Sequence, residues 1–342
     1  MCAEDPARGF LPSGGTVLAL HEPQGGGIRT DSGLSEGVPV GSTYDPMLSK
    51  VIAYGPDRAT ALRRLRAALA DTVVLGVPTN AGFLRRLLAH PAVAAGDLDT
   101  GLVEREADGL VPDGVPEEVY AAAALLRQPS PAPSGGWVDP FSVPSGWRLG
   151  GTPAETFHHF RVPGHDPVRV GLRTGTEGTA ALTFGHAGDR EGPADACGPV
   201  PSLPGAERSR LVEVSGRRVV VELDGLTHTF SRAPSTEGVW IGRDGDAWHV
   251  QDHDPVEASL RGAARSGVDT LAAPMPGTVT VVKVAVGDEV AAGQSLLVVE
   301  AMKMEHVISA PHAGTVTELD VAAGATVAMD QILAVVAPRE ES

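Results

Sequence analysis

Lys303 is the residue whose type and setting could do chemistry. It sits in Glu300-Ala301-Met302-Lys303-Met304, and the chain has only two other lysines, Lys50 and Lys283, among 27 basic residues. Neither of those has flanking methionines. A lysine held out on a rigid scaffold suits covalent attachment of a cofactor. Amide formation removes the ammonium charge, and the attached group then supplies reactivity that the protein lacks. Lys303 would be a tether, with no acid or base role.

The scaffold is legible as an internal repeat. Residues 273–299 and 310–336 align without a gap at an offset of 37, with 15 identities over 27 positions. Both copies alternate Val or Leu with small or polar residues, the period of half-buried strands. Two copies predict a two-fold-symmetric β-sandwich, and the segment joining them becomes a hairpin with Lys303 near its tip. Met-Lys is a poor sequence for a tight hairpin turn, where Asn-Gly or Asp-Gly is expected. A local rule broken inside an otherwise consistent fold marks a functional position.

Other constellations carry less. His158-His159 and His165 lack the spacing and carboxylate of a zinc helix, and His249, Asp252 and His253 read as a polar loop. Gly25-Gly26-Gly27 is not followed by the strand–loop–helix order of a phosphate site. There is no nucleophile-elbow sequence. The sequence predicts no catalytic residue and no metal site.

The elements that surround the repeat fall into three segments. Residues 1–105 carry two predicted helices, over 57–71 with Asp57 as its cap and over 79–90 stopped by Pro91. Residues 106–262 carry one helix, over 116–128, followed by many short strands. Asp224-Gly225 and Asp244-Gly245 each join alternating apolar runs, which predicts hairpins and an antiparallel barrel. The tract 128–137 and the stretch 258–267 read as linkers. The fold class is therefore multidomain and mainly β: an α+β segment, a β-barrel with a helix, and the β-sandwich over 268–338. The expectation for Trp137, Trp147, Trp240 and Trp248 is barrel core.

Composition narrows the function. The net charge of −16 disfavours nucleic-acid binding, which needs clustered Lys and Arg. Acidity is uneven: residues 1–105 hold 10 basic and 11 acidic residues, and residues 267–342 hold 3 and 10. No apolar run reaches the ~18 residues of a membrane span. The start lacks a secretory pattern, and Cys2 and Cys197 form no disulfide framework, so a cytoplasmic protein is expected.

The motif around Lys303 resembles the attachment site of biotin carboxyl carrier domains, in which the lysine between two methionines is biotinylated. Ala273-Pro274-Met275-Pro276-Gly277 and Ala310-Pro311 are similar to that family too. The resemblance implies biotin on Lys303, with Ala301, Met302 and Met304 completing the motif. The gapless repeat leaves no room for the "thumb" insertion of some carriers. Lipoyl domains share the sandwich but usually set their lysine between Asp and Ala.

Residues 1–105 resemble the C-terminal subdomain of biotin carboxylase, through Ala3-Glu4-Asp5-Pro6, Phe10-Leu11-Pro12-Ser13, Arg29-Thr30-Asp31, Tyr44-Asp45-Pro46-Met47 and Val77-Pro78-Thr79-Asn80. The resemblance puts Arg29 near a carboxylase dimer interface. Residues 106–262, with Asp139-Pro140-Phe141 and Gly146-Trp147-Arg148-Leu149, resemble the docking domain of acyl-CoA carboxylase α subunits, which binds the carboxyltransferase β subunit.

Together these resemblances imply the carrier and assembly portion of such an α subunit. Biotinyl-Lys303 would take carboxyl groups from a biotin carboxylase active site to the carboxyltransferase, after modification by a biotin–protein ligase. The ATP-grasp region of biotin carboxylase is not in this sequence, so the chain alone is not expected to carboxylate biotin. Methylcrotonyl-, propionyl- and acetyl-CoA are the acyl substrates considered, with the short docking segment favouring methylcrotonyl. The alternative is a non-catalytic assembly or decoy remnant that is never carboxylated.

Overall fold

A computed structural model of the chain describes residues 1–41, 45–128, 146, 154–175, 179–186, 209–256 and 269–338. The linkers expected near 128–137 and 258–267, together with Trp137 and Trp147, lie outside these residues apart from Gln128. The described residues form two compact units. One draws on Met1–Thr72, Val77–Val111 and Val256–Ser342, the other on Val73–Gly76 and Pro112–Pro255. No described helix is long and apolar enough to cross a membrane.

In the first unit, strands Ile28–Ser32 and Ser49–Ala53 pair antiparallel. Helix α1, Arg58–Asp71, begins where Asp57 accepts a bond from the Thr60 amide at 2.7 Å, and this bond holds the Asp57 carboxyl below its usual range. Helix α2 covers only Ala81–Leu87, shorter than expected. Pro91 does not stop it. Pro91 instead opens helix α3, Pro91–Ala95, at a first-turn position where a missing N–H costs nothing. Helix α4, Leu102–Leu110, follows.

The repeat in the same unit folds into two four-stranded sheets. One runs Asp269–Ala272, Ile332–Pro338, Gly314–Leu319, Glu289–Val290; the other runs Met304–Ser309, Ser295–Ala301, Gly277–Val282, Thr326–Val327. The 37-residue offset persists in detail. The register shifts at Val279/Val281 and again at Val316/Glu318. Thr280 donates to the Val298 carbonyl and Thr317 to that of Val335, both at 3.3 Å. Buried Val279, Leu297, Val299, Val316, Leu333 and Val336 fill the space between the sheets. The sandwich is thus the sequence repeat made spatial.

The second unit is a closed antiparallel barrel of eight described strands, from Thr156–Arg161 to Asp246–Asp252, with those two pairing to close it. Helix α5, Glu117–Leu126, is buried on all sides from Val119 to Leu125 and shares one core with the barrel strands. The run Ala121–Ala124 keeps the helix slim enough for walls that otherwise have room only for side chains. Burial pushes the Tyr120 hydroxyl up to about 12. Arg243 bonds Glu118 at 2.8 Å near one end of α5, and Arg127 bonds Asp252 at 2.6 Å just past the other. Burial raises the Glu118 carboxyl, but the Arg243 bond, a backbone amide and the Arg243 and His228 charges together hold it below its usual range.

Both Asp-Gly pairs form the expected two-residue turns, with φ of 52° and 78° at Asp224-Gly225 and 58° and 85° at Asp244-Gly245. Trp240 is buried and Trp248 packs against the core. His249 and Asp252 are not a loop, since both belong to strand Asp246–Asp252. His249 stacks on Trp240 at 4.8 Å, and burial lowers its pKa. The period-2 pattern is blurred there because consecutive Trp248 and His249 are both half-buried, as is Gln251.

Candidate functional site

Strands Ser295–Ala301 and Met304–Ser309 pair from Ser295 opposite Ser309 up to Ala301 opposite Met304, leaving Met302-Lys303 as the whole turn. Both turn residues are left-handed, with φ of 49° and 67°. Neither is Gly, Asn or Asp, so the tip is strained. Beneath it, Ala301 is buried and Met304 is 43% exposed. The Lys303 side chain is 78% exposed. The side chain therefore stands at the far end of a hairpin, largely exposed to solvent, with its amine beside one carboxylate.

The upstream motif supports the hairpin from below. Ala273 and Met275 lie in the sandwich core with no exposed surface. At Gly277 a Cβ would approach the Glu300 carbonyl to 2.5 Å and the Val299 Cγ1 to 2.9 Å, so only glycine lets these strands pair beside the tip.

The tip is not isolated within its unit. Lys303 Nζ lies 2.6 Å from Asp45 Oδ1. Met302 is 5% exposed and joins a cluster with fully buried Ala3, Val17 and Val77. The loop that carries Asp45 is pinned to the same place, because the Ala3 amide donates to the Pro46 carbonyl at 2.8 Å. Nothing in the methionine–lysine pattern announced these contacts. Asp45 and Ala3 were visible only as parts of a family-like sequence. Arg29 lies elsewhere, with an exposed side chain bonded to Asp31 at 2.6 Å. His158 stacks on Phe160 in the barrel wall, and burial lowers its pKa.

A covalently tethered group needs an amine with room to be reached, and this tip offers one. Comparison with known families bears on what the group is. Residues 1–105 match the family described as biotin carboxylase C-terminal domain. Residues 116–255 match methylcrotonyl-CoA carboxylase, alpha-subunit, BT domain, and residues 269–336 match biotin-requiring enzyme. The mitochondrial methylcrotonoyl-CoA carboxylase subunit alpha of Mus musculus is 29% identical over 320 residues, covering 90% of this chain and 42% of the relative. That of Dictyostelium discoideum is 31% identical over 319 residues, covering 90% and 43%. The propionyl-CoA carboxylase alpha chain of Ruegeria pomeroyi is 28% identical over 346 residues, covering 90% and 46%. The chain thus spans less than half the length of these relatives.

Proposed function

We propose that the chain is part of an α subunit of a biotin-dependent acyl-CoA carboxylase, and that Lys303 is the residue to which its biotin is attached. The observation that carries this is the exposed Lys303 amine on a two-residue turn between Met302 and Met304, in the stretch that matches the biotin-requiring family. Bound there, biotin would accept a carboxyl group at one active site and give it up at another. The chain's own residues hold and present it. Ala301 packs the base of the tip, and the left-handed turn aims Lys303 away from the sheets.

In this reading residues 1–105, 106–262 and 268–338 are three domains, with biotin carboxylase-like, docking and carrier roles. The barrel is assigned to the carboxyltransferase β subunit, and exposed Val212 and Val214 on strand Ser209–Ser215 suit such a contact. A biotin carboxylase active site would load the carrier, and a biotin–protein ligase would modify it. Methylcrotonyl-CoA is the favoured acyl substrate, on the match of the barrel segment. The cytoplasm suits a chain whose Cys2 is a free thiol.

The test is labelling of the full chain with biotin, ATP and a biotin–protein ligase, read by peptide mass spectrometry. One biotin on the Lys303 peptide is expected, and none in Lys303→Arg. Persistent labelling in that variant, or a lipoyl mass at Lys303 of the cellular protein, would overturn the assignment.

A further inference from the structure

Two separate contacts hold the tip against residues of the same unit from the first segment. Met302 fills a socket made by Ala3, Val17 and Val77, with Leu20, Leu34, Val40 and Leu48 partly buried around it. Beside the socket, the Lys303 ammonium meets the Asp45 carboxylate at 2.6 Å. The seam continues along the sandwich, where Arg8 reaches the Met329 sulfur at 3.1 Å and Asp330 at 4.0 Å. An apolar side chain in a socket beside a cation on a carboxylate is the pattern of a built recognition site. Its occupant is the chain's own turn.

We propose that the first segment is a docking site for the unmodified carrier tip, and that modification of Lys303 unseats it. This rests on Lys303 being the biotinylated residue. In that modification the amine attacks the carboxyl carbon of a biotinyl adenylate. A C–N bond forms, the C–O bond to the phosphate breaks, and the adenylate leaves with the electron pair; one proton leaves the ammonium before the attack and a second leaves the nitrogen after it. The amide that results has no charge for Asp45. Apolar burial of Met302 persists, so the seat weakens and is not abolished. In the seated state Lys303 is also held against Asp45, which slows its modification. The first segment therefore distinguishes apo carrier from loaded carrier by charge.

The test uses the full, unmodified chain. A water-soluble carbodiimide joins amines to carboxylates only when they touch, and with three lysines its products are few. A Lys303–Asp45 amide is expected by peptide mass spectrometry, absent in Asp45→Asn. In a ligase assay, Asp45→Asn should label faster by a factor of at most about five, the worth of an exposed ion pair. Asp45→Lys should label faster still, because it repels the tip. Asp45 is exposed, so both variants keep the core, checked by circular dichroism. No Lys303–Asp45 product, or an unchanged labelling rate in Asp45→Lys, would overturn the proposal. Failure of the wild-type chain to label at all would sink the carrier reading instead, and the crosslink would still report whether the tip is seated.

Discussion

Three two-residue turns in this chain share one backbone shape and differ in sequence. The two in the barrel are Asp-Gly, and the one in the sandwich is Met-Lys, yet all six residues have positive φ. At the barrel turns, residue choice agrees with geometry, and the turn does nothing but reverse the chain. At the sandwich turn, two residues that disfavour the left-handed region occupy it, at a cost of roughly 1–2 kcal/mol each. The side chains supply the compensation: Met302 is buried and Lys303 is presented. Strain at a position with such side chains marks function more sharply than either observation alone.

The comparison is broken most completely by exchanging the turns. Met302→Asn with Lys303→Gly should end biotin labelling altogether, while the relief of turn strain and the loss of Met302 burial oppose each other in the thermal midpoint of the first unit. Loss of both labelling and fold would show that the strain has another source. In the opposite exchange, Asp244→Met with Gly245→Lys should destabilise the barrel by roughly 1–3 kcal/mol, read as a lower urea midpoint at constant slope.

Finer differences sit at the ends of α5. Arg243→Leu leaves the Glu118 carboxylate half-buried and unpaired, and Arg243 also covers Phe230 at 5.0 Å. It should therefore cost more than Arg127→Leu, whose exposed pair with Asp252 is worth about 1 kcal/mol or less. The smallest effect is in pH. Burial lowers the His249 pKa from 6.5, so the unfolded chain binds its proton first as pH falls. Barrel stability should decline below about pH 6.5, and His249→Gln should reduce that decline in denaturant titrations, leaving the part that half-buried His158 contributes.

The sandwich was the most readable part of the fold. A 37-residue repeat transmits itself directly into paired strands, bulges and even the Thr280 and Thr317 bonds. The Asp-Gly turns and the Asp57 cap were equally plain, because each follows from the local conformation of one or two residues. Strand Asp246–Asp252 was legible only in part: the Asp244-Gly245 turn points to an extended run through Val250, but half-buried His249 and the acidic end at Asp252 also read as a polar loop. At the site, Lys303 stood out by its neighbours in sequence. Its partner Asp45 lies more than 250 positions away, and no periodicity links residues brought together only by tertiary packing.

Helix α5 precedes every strand that surrounds it, and the barrel closes only when Asp246–Asp252 meets Thr156–Arg161. During synthesis, then, a helix apolar from Val119 to Leu126 waits without a shell while more than a hundred residues are added behind it. Closure depends on a pairing of long sequence separation, the kind that forms slowly. The interval between making α5 and covering it is the period of greatest aggregation hazard for this chain, and it is set by topology, whatever the finished barrel's stability.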